Sequence, residues 1–209
     1  MKKIQIKNQN FILHASGGIY WKEQSVLFVA DVHLGKSAHF RKNGSAIPSF
    51  TDVENYQKLD LLIQNFAVKR LVFLGDLFHS VYNSSWNAFE NWANRQHFQI
   101  DLVVGNHDVI PASYFEKVEV KTHQQLSLKK FSCTHHPQKK PELFNFCGHL
   151  HPGFRLHGSG KQMLKLPCFY LQQNQLILPA FGSFTGHYFI TPEVNERVFV
   201  VAEDEVFEI

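Results

Sequence analysis

A chain of 209 residues with 44% hydrophobic content can bury a sizeable core, and its length fits one domain spanning 1–209 better than two. Charged residues make up 19% and the formal net charge is +3, which excludes a uniformly basic body, so any nucleic-acid surface must be local. No run approaches the roughly 18 apolar residues of a membrane span, the basic start lacks an apolar leader, and Cys133, Cys147 and Cys168 form no C-x-x-C pair. A soluble cytoplasmic protein with reduced thiols and no membrane partner is therefore expected.

Short β-rich runs open the chain (Ile4 to Ile6, Phe11 to His14, Gly18 to Trp21), and the apolar run from Ser25 to Ala30 reads as a buried strand ending at Asp31. Thr51 and Asp52 can cap a helix in which Tyr56, Leu59, Leu62, Ile63 and Phe66 recur at helical spacing. Arg70 to Leu74 is a second buried strand. A helix carrying Trp86, Phe89, Trp92 and Ala93 leads to a third, Ile100 to Val104. Such alternation predicts right-handed crossovers, a largely parallel sheet and ligands at the carboxyl ends of its strands. From Val118 onward, short strands separated by Gly, Pro and Asn turns predict a second, mainly antiparallel sheet: Val118 to Lys121, Leu126 to Cys133, Phe144 to Cys147, Gln162 to Leu166, Phe169 to Gln172, Gln175 to Leu178, Val198 to Ala202 and Val206 to Ile209. The 20 phenylalanines fall mostly within these runs and read as core, with no sign of base stacking.

Thirteen histidines are the unusual figure, because imidazole is a common metal ligand and titrates near neutrality. Three buried strands end in Asp31-Val32-His33, Gly75-Asp76-Leu77-Phe78-His79 and Gly105-Asn106-His107-Asp108, and the second half adds Thr134-His135-His136-Pro137 and Gly148-His149-Leu150-His151. Glycine lets backbone turn sharply close to a site, while Asp, Asn and His donate to a divalent metal. In an extended segment, i and i+2 share a face, so Asp31/His33 and His149/His151 read as chelating pairs free of backbone strain. Two metals about 3.5 to 4 Å apart can share a carboxylate and a hydroxide and clamp a phosphoryl group for in-line attack. Each motif alone is ordinary turn vocabulary. Five in this order, three of them closing successive buried strands, are not. His14, His39, His97, His123, His157 and His187 stand in no comparable setting.

The five motifs resemble those of the calcineurin-like metallophosphoesterases: D-x-H, G-D, G-N-H-[DE], a lone His and G-H-x-H. The resemblance implies an α/β fold, a four-layer α/β/β/α sandwich of two mixed β-sheets. It assigns Asp31, His33 and His151 to one metal, Asn106, His135 and His149 to the other, and Asp76 to the bridge. His135 is preferred to His136 because the lone His of the family commonly follows Thr or Ser, as it follows Thr134 here. His107 is implied as the general acid that protonates the leaving oxygen. Where phosphoprotein phosphatases carry an Asp that orients this His, the chain has His79. Gly75-Asp76-Leu77-Phe78-His79 is similar instead to the G-D-L-F-H of double-strand-break repair nucleases, which pairs His79 with His107.

Asp31-Val32-His33-Leu34-Gly35-Lys36 with Phe40-Arg41, Gly44 and Pro48, Gly148-His149-Leu150-His151-Pro152-Gly153, and Pro179-Ala180-Phe181-Gly182-Ser183-Phe184-Thr185-Gly186 resemble the bacterial ligase-associated DNA-damage-response phosphoesterases. That resemblance implies a phosphodiesterase or endonuclease acting on nucleic acid or a nucleotide, two divalent metals with manganese expected (iron, zinc or nickel also suit the donors), and a DNA ligase, helicase and exonuclease as repair partners. A dimer is compatible with it. Lys36 and Arg41 are candidates to hold a non-scissile phosphate, against the alternative of a solvated loop. Lys121, Lys129, Lys130, Lys139 and Lys140 could track a nucleic-acid backbone or form a solvated face. The competing readings are a phosphomonoesterase or nucleotide pyrophosphatase of the same superfamily, and a catalytically silent, metal-stabilised scaffold for a repair ligase or helicase.

Overall fold

A computed structural model describes residues 1–36, 51–79, 84–183 and 185–209. Seven strands form the first sheet in chain order: β1 (Lys2–Ile6), β2 (Gln9–Leu13), β3 (Ile19–Trp21), β4 (Val26–Val29), β5 (Arg70–Phe73), β6 (Gln99–Val103) and β7 (Val120–His123). The first four pair antiparallel. From β4 onward the pairs are parallel, with helices α1 (Thr51–Gln64), α2 (Ser84–Ala93) and α3 (Ala112–Lys117) in the crossovers. Parallel neighbours need such crossovers, so β4, β5 and β6 all point their carboxyl ends the same way.

The second sheet runs β14 (Tyr188–Phe189), β11 (Pro152–His157), β12 (Met163–Leu171), β13 (Gln175–Ile177), β10 (Phe144–Cys147), β9 (Phe131–Cys133) and β8 (Leu126–Leu128), with β15 (Arg197–Ala202) on β12 and β16 (Glu205–Glu208) on β15. Most pairs are antiparallel, as expected, but β10 lies parallel to both β9 and β13, and β11 parallel to β14. That parallel trio aims the carboxyl ends of β9 and β10 at the same region.

Apolar side chains of both sheets meet in one core, where Phe11, Trp21, Phe28, Phe131 and Phe146 are fully or almost fully buried and their rings pack within 6 Å of one another in a chain of contacts. On the outer face of the first sheet, Leu59 and Leu62 of α1 and Trp86, Phe89 and Trp92 of α2 pack on Leu27, Val29, Leu71 and Phe73. The outer face of the second sheet is closed differently. Among the described residues no α-helix lies on it, and Leu150 and Ile190 join Cys168, Tyr170, Ile177 and Val198 there. Two mixed sheets and one helical layer are therefore built as the resemblance implies, and the fourth layer is irregular where described.

Some expected elements divide differently. Leu126 to Cys133 is not one strand but the β8–β9 hairpin, whose turn holds Lys129 at φ 55°. The two strands expected around Pro167 are one, β12. Its first half pairs with β11 and its second with β15, so proline sits where the strand exchanges partners.

Candidate metal centre

The five motifs converge at the carboxyl ends of β4, β5, β6, β9 and β10. Donor atoms of Asp31, His33 and His151 lie within 4.8 Å of one another, and so do those of Asp31, Asp76 and His135. On one side, His33 Nε2 and His151 Nε2 are 3.4 Å apart, and Asp31 Oδ1 is 3.3 Å from His151 Nε2. On the other, His135 Nε2 lies 3.1 Å from Asn106 Oδ1, 3.1 Å from His149 Nδ1 and 3.4 Å from Asp76 Oδ2.

This donor set fits cations. His135 Nδ1 lies 2.9 Å from the carbonyl oxygen of Leu74, which can only accept, so Nδ1 carries a ring proton and, in the neutral ring, Nε2 keeps a lone pair. That lone pair faces an amide oxygen, a second imidazole nitrogen and a carboxylate. One proton could satisfy one such contact, whereas a cation satisfies all, and ligands about 2.0–2.2 Å from one metal stand about 3 Å apart. Asp31 Oδ1, completely buried, has no hydrogen-bond partner among the described residues, although leaving a buried carboxylate oxygen without one is costly. Burial alone would lower the His135 pKa, but the contacts with Asp76 raise it in the metal-free chain, so a cation would displace a proton there. Burial, assisted by the charge of Lys36, pushes the His33 imidazole down to about 3, leaving it neutral. Burial works the other way on Asp76, but hydrogen bonds from His135 and the His107 amide outweigh it and hold the carboxyl at about 2.

The backbone reaches this arrangement through strain. Asp31, His33, Asp76, His149 and His151 all sit at φ between 50° and 66°, a region that costs non-glycine residues of order 1–3 kcal/mol each. The expectation of strain-free extended pairs is thus wrong. The left-handed turns are imposed by cross-loop bonds, with Asp31 N donating to Gly75 O, His33 N to Asp76 O and Leu34 N to Leu77 O. Each motif glycine lies under a donor from another motif. A Cβ on Gly75 would strike the His135 ring, one on Gly105 the Asp76 carboxylate, and one on Gly148 the Asp31 carboxylate.

His107 follows Asn106, and its amide donates to Asp76 Oδ1 at 2.9 Å. Its ring stacks on that of His79, centroids 5.3 Å apart and planes 22° from parallel, and both centroids are 5.7 Å from that of His33. Of the two adjacent histidines, His135 is buried against Asn106 and Asp76, while His136 is exposed with its ring 4.0 Å from that of His149. Lys36 is half-buried beside the site, where burial lowers its pKa against the pull of Asp31 and Asp76. Arg41 lies outside the described residues. The five lysines around the His135 loop are all exposed.

Sequence reasoning passed over Asp108, whose carboxylate accepts the amides of Gly105 (2.9 Å) and Phe78 (3.1 Å) and so ties two donor loops together. Its signal was the last letter of Gly105-Asn106-His107-Asp108. The Leu74 carbonyl, which sets the His135 tautomer, left no signal at all. Two histidines set aside have definite settings: His123 is 2.7 Å from buried Asp101, beside Arg70, and His187 lies against Gly153 within reach of the field of His151.

The family profile of the calcineurin-like phosphoesterases matches residues 25–168, and the chain belongs to this family. It is a metal-dependent hydrolase of phosphoester bonds. Among solved structures it is similar to the Pseudomonas putida nuclease MPE, at 30% identity and TM-score 0.84, covering 100% of this chain and 99% of that one. Similarity to the phosphoesterase Yfce of E. coli is lower, 17% identity and TM-score 0.47 over 88% of this chain and 97% of that one. No curated protein matches. No helix among the described residues is long and apolar enough to cross a membrane.

Proposed function

We propose that the chain is a dinuclear phosphodiesterase acting on nucleic acid or nucleotides. The observation that carries this reading is the placement of two donor trios around Asp31 and Asp76, with the His79–His107 stack beside them. Asp31, His33 and His151 would hold one cation and Asn106, His135 and His149 the other, with Asp76 available to both. When bound, such a pair activates water and neutralises phosphoryl charge, with manganese the expected metal. The remaining chemistry belongs to the chain. Asp76 anchors the His107 loop through its amide, and the stack with His79 orients the His107 ring, which gives its proton to the departing ester oxygen. Lys36 holds a neighbouring phosphate. The whole-length similarity to a nuclease favours diesters of nucleic acid, and the resemblance to ligase-associated phosphoesterases favours a cytoplasmic role in DNA repair beside a ligase, helicase and exonuclease.

The test is hydrolysis by manganese-loaded protein of bis-p-nitrophenyl phosphate, the corresponding monoester, and single- and double-stranded DNA. Diester preference with DNA cleavage is expected. Monoester preference would make it a phosphatase, and silence on all four substrates a scaffold. His107→Gln is expected to keep its metal content and lose about 100-fold or more in kcat. Undiminished turnover would end the assignment of His107.

A further inference from the structure

The segment that leaves the metal centre after His151 becomes β11, and what it carries is not used by the proposed chemistry. Register places Arg155 of β11 directly opposite Lys165 of β12, and Gly153 beside Phe189 of β14, so these residues share one face of the ribbon. The Arg155 guanidinium lies 4.4 Å from the centre of the Phe189 ring, and Lys165 Nζ 5.7 Å from the same centre. Like charges directly opposite on neighbouring strands destabilise a sheet. Here nothing nearby relieves them. Among the described residues neither cation makes an ion pair, and residues 143–192 contain no Asp or Glu. Both side chains are exposed, and Arg155 borders a groove of about 360 Å³ that also touches His157, Phe189 and Thr191.

This face is continuous with the metal centre. His187 packs on Gly153, its ring 6.2 Å from that of Phe189, and Tyr188 N donates to His151 O at 3.0 Å. Resting on the diesterase reading above, we infer that the ribbon is a phosphate-binding track that holds a nucleic-acid strand as it runs off the metal centre. Phe189 keeps the Arg155 guanidinium flat, leaving its N–H edge for two oxygens of one phosphate, and Lys165 binds as a point charge. An anionic backbone removes the repulsion between the two cations. Exposed Met163, on the Arg155 face opposite His157, offers apolar surface to the bases.

The experiment uses the full manganese-loaded chain and a fluorescein-labelled single-stranded 20-nucleotide DNA with cleavage-resistant phosphorothioate linkages, and reads anisotropy from 50 to 200 mM salt. Arg155→Ala/Lys165→Ala is expected to weaken binding about tenfold at the lower salt and to shallow the plot of log affinity against log salt by roughly 1.4, about 0.7 per phosphate contact on a single strand. Unchanged affinity and slope overturn the track, as does absence of binding by the unaltered protein. An equal loss in Lys139→Ala/Lys140→Ala also overturns it, because diffuse charge would then account for binding. Failure of the diesterase reading is distinguishable: it shows as no hydrolysis of bis-p-nitrophenyl phosphate, a substrate too short to reach the ribbon, whatever the binding result.

Discussion

Five donors share left-handed backbone, and each is kept there by bonds from a different loop, so the site is built from mutual constraint rather than from local preference. Gly148 exposes that dependence, because the Asp31 carboxylate and the Ala30 methyl occupy the space a Cβ would need, while His149 N donates to Asp31 Oδ2 at 2.9 Å. Gly148→Ala is expected to lower metal affinity by about 10- to 100-fold, the range seen when the support of a ligand is disturbed, with its circular dichroism unchanged. Manganese titration by calorimetry checks this, and unaltered affinity would mean that Asp31 is not held by this packing. The residue types of the site were legible because Asp, Asn and His closing apolar strands have few other uses together. The φ values were not. Asp31 and His33 carry no local mark of a left-handed turn, and what imposes it is the carbonyls of Gly75 and Asp76, more than forty positions away.

Among the elements, α1 couples the first donor loop to the 179–183 segment. Its buried Asn55 reaches Val32 O (3.3 Å) and accepts Ser183 N (3.4 Å), and Lys58 Nζ donates to Phe181 O at 2.6 Å, lying 4.2 Å from the Phe181 ring centre. Burial lowers the Lys58 pKa to about 8. A lysine depressed in the folded state opposes folding while charged, fully below about pH 8, and the penalty is lifted as pH rises from there toward the ordinary lysine value. In that window the unfolded chain binds more protons, so the sign is a rise in stability with pH. Relative to Lys58→Met, the unaltered protein is therefore expected to gain stability between pH 8 and 10, by up to roughly 1.4 kcal/mol per unit. Urea unfolding at several pH values checks this, and parallel pH profiles would show that Lys58 is well solvated. The long elements were legible from periodicity: α1, α2 and the buried strands β4 to β6 stand where apolar spacing puts them. The short ones were not. A hairpin hidden in Leu126 to Cys133 and a strand running through Pro167 depend on partners, since Pro167 is tolerated only where β12 exchanges β11 for β15.

At the scale of the whole molecule, donors come from both sheets: Asp31, His33, Asp76 and Asn106 from the first, His135, His149 and His151 from the second. The sheets already share an apolar core, and at this end they are tied by His135 to Leu74 O and His149 N to Asp31. A cation held by donors from both sheets adds a cross-link that exists only in the folded chain, so its binding free energy becomes folding free energy. With free manganese at about 100 times Kd, that is about 2.7 kcal/mol. For a domain of this size each kcal/mol shifts Tm by about 2–4 °C, so manganese is expected to raise Tm by roughly 5–10 °C over the chelated protein. Asp76→Ala removes the carboxylate proposed to bridge the two cations and is expected to lose most of that increment. Scanning calorimetry with manganese and with chelator measures both. If manganese binds by titration yet Tm stays where it was, the cation is held equally well by the unfolded chain, and the donors of the two sheets do not close on it together.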